Sequence, residues 1–217
     1  AIFSIHTALD NALQGVNNMI CNQLELKNKT ILIPQSETIK KLTTYVPKNE
    51  AKALRTALFK IGAGSIGNYS DCSFNVEGYG TFKGKEDSNP TKGQKGKTHT
   101  EDETKITVTY AKHIESQVLK TLFNTHSYEE VAYEVTTLEN KNQNIGLGMI
   151  GEFEDVMDES SFLNHLKTKM NTECIRHSSF LNKNIKKVAI LGGSGSFAIQ
   201  AAKDSGADAF VTADLKY

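Results

Sequence analysis

A chain of 217 residues, 38% of them apolar, can bury one large core or two modest ones, which excludes a disordered or fibrous protein. Lysine plus arginine and aspartate plus glutamate number 25 each, so no global field draws the chain to nucleic acid or an anionic membrane. No run reaches the roughly 18 apolar residues of a membrane span and no charged-then-apolar leader is present; Cys21, Cys72 and Cys174 stand far apart, which excludes a zinc ribbon or redox pair and predicts reduced thiols in a cytoplasmic protein.

The N-terminal residues Ala1-Ile-Phe-Ser-Ile5 read as part of a strand, and His6 and Asp10 follow it four residues apart. If the chain turns helical after His6, that spacing puts an imidazole and a carboxylate on one face. On spacing alone, an N-capping aspartate beside a hydrogen-bonded histidine satisfies the same pattern. A helix is predicted over Gly15 to Leu24.

Residues 39–140 carry a self-contained succession. A strand at Lys41 to Val46 precedes a helix from Asn49 to Ile61, with Ala51, Leu54, Leu58 and Ile61 at helical spacing and Gly62 as stop. Strands are predicted from Cys72 to Phe82 and Lys105 to Tyr110, then a helix from His113 to Asn124 and a strand from Val131 to Leu138. The order βαββαβ is that of a ferredoxin-like α+β domain. Lys83 to Glu103, rich in Gly, Lys, Thr and Asp, reads as a mobile loop between the middle strands.

The chain then resumes an α/β pattern. Asp158 is placed to N-cap a helix ending at Met170. Val188 to Leu191 suits a buried parallel strand, and Gly192, Gly193 and Gly195 let the backbone turn and expose N–H groups before a helix near Ser196. That helix is expected to place Phe197, Ala201 and Ala202 on one side and to end at a left-handed Gly206. A second strand, Ala209 to Val211, leads to Asp214, at the C-terminal sheet edge where open α/β folds build their sites. The glycine cluster lacks the Gly-Lys-Ser/Thr ending of a Walker loop and the spacing of a dinucleotide fingerprint, so a nucleotide site is not read from it. The expected organisation is a discontinuous α/β domain, 1–38 and 145–217, incomplete at both ends, interrupted by an insert at 39–144.

The string from Gly192 through Asp208-Ala-Phe-Val-Thr-Ala-Asp214 resembles the C-terminal signature of the GTP cyclohydrolase I type 2 homologue family, the dinuclear-metal proteins also called NGG-one-interacting-factor-three-like. Ile5-His-Thr-Ala-Leu-Asp10 with Gly15-Val-Asn17 is similar to that family's His-Thr-x-x-Asp…Gly-Val-Asn segment. Tyr45-Val-Pro-Lys48, the run from Gly62 to Phe74, Gly78-Tyr-Gly-Thr-Phe82, His126-Ser-Tyr-Glu-Glu130 and Ile145-Gly-Leu-Gly148 resemble the PII-like insert of its long bacterial members.

The resemblance implies that Asp10 is a metal ligand and that His6 lines the site or supports a ligand. It implies two divalent ions per subunit in the full-length protein, with zinc, manganese and iron equally suited, and a toroidal homohexamer. The family's His-His pair and its late His and Glu have no counterpart in this chain, so stoichiometric metal is not expected on it. His99, His113, His126, His165 and His177 are read as surface or capping residues. The implied activity is that of a metal-dependent hydrolase or cyclohydrolase. The alternative is a non-enzymatic PII-like scaffold that senses a small-molecule ligand or handles metal, with Tyr69, Asp71, Glu77, Tyr79 and Glu101-Asp-Glu103 lining an insert pocket.

Overall fold

Gln35 faces Asn142 across two antiparallel strands, so the chain leaves one folded unit and re-enters it at nearly the same place. The computed structural model describes residues 7–215. It divides the chain into Ala1–Gln35 with Lys141–Tyr217, and Ser36–Asn140. In chain order the elements are α1 (Thr7–Asp10), α2 (Val16–Gln23), β1 (Lys27–Gln35), β2 (Ile39–Pro47), α3 (Ala51–Lys60), β3 (Phe74–Lys83), β4 (Thr98–Ala111), α4 (Glu115–Thr125), β5 (Tyr133–Leu138), β6 (Asn142–Asp158), α5 (Glu159–Met170), β7 (Asn184–Ser194), α6 (Ile199–Asp204) and β8 (Ala209–Asp214).

The first unit is built on a sheet of order β1-β6-β7-β8, antiparallel except for the parallel β7–β8 pair. Alternation along β7 sends Val188 and Ile190 into a core with Cys21 of α2, Leu24 at its C-cap, and Phe162 and Leu166 of α5. Ala189 and Leu191 point the other way, into a second cluster with Ala198 and Ala202. Because both faces are covered, β7 reads as a continuous apolar run. Asp158 caps α5 as predicted, its carboxylate accepting from the Ser161 N–H at 2.9 Å, and Asn171 closes the helix at φ +48°.

Two details of this unit differ from the sequence reading. β7 continues through the glycines to Ser194, and the turn that follows is 3-10 over Ser196–Ala198 before α6 begins. That change of winding rotates the buried side by one position: Ala198 and Ala202 are inside, while Phe197 is 62% exposed. Gly206 does take the left-handed conformation, at φ +74°.

The second unit has the βαββαβ succession, with an antiparallel sheet of order β3-β4-β2-β5. Leu54 and Leu58 of α3 and Val118 and Leu122 of α4 meet Leu42, Val46, Ile106 and Val108 on one sheet face. Gly62, at φ +91°, ends the first of these helical segments. The predicted loop from Lys83 to Glu103 is shorter than expected, because β3 runs to Lys83 and β4 starts at Thr98. Polar β-branched and charged residues suit an exposed hairpin as well as a loop, and here cross-strand pairing decides. The connection that remains is tied down: the Asn89 N–H donates to Glu129 at 2.7 Å and the Thr91 hydroxyl to the Ser127 carbonyl at 2.8 Å.

Candidate functional site

The C-terminal ends of the parallel strands β7 and β8 carry the glycine segment, and three contacts fix its path. The Gly192 N–H donates to Asn17 Oδ1 at 2.7 Å, Thr212 Oγ1 donates to the Gly193 carbonyl at 2.8 Å, and the Gly195 N–H donates to the Asp214 carbonyl at 2.9 Å. A Cβ on Gly195 would lie 2.4 Å from Thr212 Oγ1 and 2.9 Å from Phe210, so only glycine fits that approach. Since the Gly192 and Gly195 N–H groups are consumed inside the fold, the turn is not the open anion cradle that exposed amides would make. Its role is to hold strand ends together.

Asn17 is the residue that reasoning from sequence named without assigning a task. It is only 2% exposed, and both halves of its amide are used. While Oδ1 accepts from Gly192, Nδ2 donates to the Asp10 carbonyl at 3.0 Å. One buried side chain thus joins the α1 segment to the end of β7, Asn17 itself standing 175 residues from Gly192 on the chain. Further stitches come from the Gly146 N–H to the Asn11 carbonyl at 3.0 Å and from the bridge between Ala12 and Ile145. The Gly15 N–H closes on the Ala12 carbonyl at 2.8 Å, and a Cβ there would lie 1.8 Å from the Leu9 carbonyl oxygen.

Asp10 therefore sits half-buried at the end of α1, on a segment anchored to the strand ends. It does not cap α2, whose N-cap is Gly15 without a side-chain bond. His6 lies outside the described residues. Among the described residues no three His, Cys, Asp or Glu side chains gather as a ligand set for a metal ion.

Of the other histidines, His126 is the C-cap of α4, a capping role as read from the sequence though in a buried place, and His165 is half-buried on α5. His126 is buried: Nε2 lies 2.8 Å from the Tyr45 carbonyl, and Nδ1 accepts the Tyr128 N–H at 3.0 Å, which puts the ring proton on Nε2. His165 meets the Leu24 carbonyl at 3.1 Å and stands edge-on to Phe153, tying α5 to the end of α2. His99 pairs with Glu101 at 2.9 Å.

The acidic positions of the second unit do not converge. Gly78 faces Glu103 and Gly80 faces Glu101 across β3 and β4, so these carboxylates share one sheet face, while Glu77, Tyr79 and Asp102 occupy the other. Glu77 pairs with Lys48 at 2.7 Å. Glu103, 9% exposed, lies over Gly80 and accepts the Tyr128 hydroxyl at 2.8 Å. Burial, reinforced by that carboxylate, holds the Tyr128 phenol protonated well above its usual range. His99 first, and Lys92 after it, hold the Glu101 carboxyl below the usual carboxylate range.

Residues 1–217 in full match the sequence profile of the family described as Duf34/NIF3 (NGG1p interacting factor 3). The chain belongs to that family. It is 37% identical over its whole length to a Bacillus subtilis protein named GTP cyclohydrolase 1 type 2 homolog, and 38% identical to the Listeria innocua protein of the same name. It spans 58% of the length of each of these relatives. A crystal structure of a Bacillus cereus protein related to NIF3 superposes on 98% of the chain with a TM-score of 0.83 at 38% identity, covering 56% of that protein. A Staphylococcus aureus crystal structure superposes on 98% of the chain with a TM-score of 0.68 at 30% identity, covering 54% of that protein. The mixed α/β architecture with two sheets is thus that of the Duf34/NIF3 proteins. No described helix is long and apolar enough to cross a membrane.

Proposed function

We propose that this chain is part of a divalent-metal protein of the Duf34/NIF3 family, to which it contributes the Asp10 carboxylate, and that the whole protein is a dinuclear-metal-dependent hydrolase or cyclohydrolase. The observation that carries this reading is the anchoring of the Asp10 segment by the buried Asn17 to the glycine-bearing end of β7. Ligand groups must be held in place before the ion arrives, and a buried amide with both ends satisfied supplies that rigidity. The described residues do not by themselves form a ligand set, so the fit to a metal pair is incomplete and no step of a reaction is assigned to them. Held by a complete ligand set to which Asp10 contributes, a pair of such ions would supply Lewis-acid activation of water. A reducing, cytoplasmic compartment is part of this proposal, and the wide separation of the three cysteines along the chain supports it.

The test is plasma emission analysis of this chain and of a protein of the relatives' full length that contains it. The longer protein is expected to carry up to two ions per subunit, the 217-residue chain less than one, and Asp10→Ala in the longer protein to lower occupancy. A full metal complement on this chain, or unchanged occupancy after Asp10→Ala, would overturn the assignment.

A second reading makes the βαββαβ unit a PII-like module that binds a small-molecule ligand and helps hold a homohexamer. What favours it is the sheet face opposite α3 and α4, where Phe74 is 71% and Val76 48% exposed on the edge strand β3. Light scattering on the full-length protein distinguishes the cases. A hexamer that dissociates on Phe74→Glu supports this reading, and a monomer at high concentration rejects it.

A further inference from the structure

The segment 172–183 that follows α5 has no regular structure, yet it is fastened at both ends across that helix. At its start the Thr172 N–H donates to the Lys167 carbonyl at 3.1 Å. At its finish the Glu159 carboxylate accepts the Leu181 and Asn182 N–H groups at 2.9 and 3.0 Å. Ile175 reaches down to the apolar core in the middle. Between the strap and the helix lies a cleft of about 310 Å³, at the lower end of the roughly 300–1,000 Å³ typical of small-molecule sites.

The lining is chemically one-sided. Leu163, Ile175 and Phe180 give apolar walls, and Asn164, Lys167 and His177 give polar groups, with no carboxylate among the lining residues. His177 stacks on Phe180 at 4.9 Å and 14°, and its Nδ1 is held 2.7 Å from the Ser178 carbonyl, so a parallel pair of rings borders the cleft. Lys167 forms no ion pair with a described residue, whereas Lys169, two residues on, is engaged by Glu25 at 2.7 Å. A single unpaired ammonium and a neutral amide donor beside Leu163, Ile175 and the stacked ring pair suit one negative charge on an apolar body. A phosphate dianion would ask for more cations or a nest of backbone N–H groups than the lining offers.

We infer that this cleft is a binding site for a small monocarboxylate with an apolar, planar body, with Lys167 receiving the carboxylate and the stacked His177–Phe180 pair receiving the ring. The site is separate from the Asp10 region and does not depend on the metal reading. Benzoate is the probe, with benzamide as its neutral analogue and inorganic phosphate as a generic anion, each titrated into the 15N-labelled chain. Benzoate is expected to shift the amide signals of Leu163, Asn164, Lys167 and Ile175 saturably in the millimolar range, and benzamide at least about tenfold more weakly. Lys167→Met, a change at an exposed position, is expected to weaken benzoate about tenfold or more, and Lys169→Met to leave it unchanged. Absence of saturation, equal response to benzamide or to phosphate, or indifference to Lys167→Met would each overturn the assignment.

Discussion

Asn17 shows how one side chain can carry a site it never touches. Leucine in its place would fill similar volume but leave the Gly192 N–H and the Asp10 carbonyl without their partner in a partly buried region. Two unpaired buried groups at about 1–3 kcal/mol each put the expected loss near 2–4 kcal/mol, allowing for partial relaxation. Asn17→Leu is therefore expected to lower the urea midpoint clearly at unchanged slope, and Asn17→Asp to fall below wild type because it keeps the acceptor, loses the donor and buries a charge. If both variants unfold with wild-type midpoints, the two hydrogen bonds contribute nothing to holding the strand end.

Among elements, α5 is the one whose start was set by a local signal, and its cap also titrates. The Ser161 hydroxyl first, then the Ser161 N–H, hold the Asp158 carboxyl below its ordinary value of 3.8. A depressed carboxyl stabilises the fold fully above that ordinary value, and the contribution disappears as pH falls through the lower folded value. The melting temperature of wild type is expected to exceed that of Asp158→Ala at neutral pH, with the gap shrinking below about pH 3.8. Asp158→Asn, which caps without titrating, is expected to keep its margin over alanine through the same range. A wild-type margin that does not change between neutral and acid pH would show that the cap's charge is irrelevant.

At the scale of the whole chain, residues 36–140 are inserted in sequence between two paired strands. β1 and β6 are antiparallel neighbours whose pairing ends at Gln35 and Asn142, so 36–140 occupies the position of a hairpin turn. Loop-closure entropy rises only slowly with length, and an insert that folds by itself costs less still. Two outcomes are expected. Residues 36–140 alone give a dispersed amide spectrum, because their apolar cluster is formed entirely within the segment. Replacing residues 36–141 by Asn-Gly joins Gln35 to Asn142 through a two-residue turn and leaves the first unit folded by circular dichroism. A collapsed spectrum from the isolated segment, or loss of cooperative melting in the joined chain, would deny this independence.

Much of the architecture is written locally. α2, α3, α4 and α5 lie within a few residues of their predicted spans, because amphipathic spacing and stop or cap residues such as Gly62 and Asp158 act within a turn or two. β7 and β8 were also legible, since a strand covered on both faces must be apolar at consecutive positions. The strand character of Thr98 to Glu103 was not legible, because alternating Thr, His, Glu and Asp residues become a strand only when β3 pairs with them along an exposed edge. Nor was the exposure of Phe197, which hangs on whether one turn winds as 3-10 or α. At the candidate site, the motifs named Asp10, Asn17 and the glycines, but not the bond from Gly192 to Asn17, whose partners stand 175 residues apart and meet only in the folded chain. What the sequence determined by itself are the propensities, caps and periodicities, which depend on neighbours along the chain. What the tertiary structure decided are the edge pairing, the buried Asn17 bridge and the separation of the acidic residues onto two sheet faces, which depend on groups that meet only after the backbone has folded.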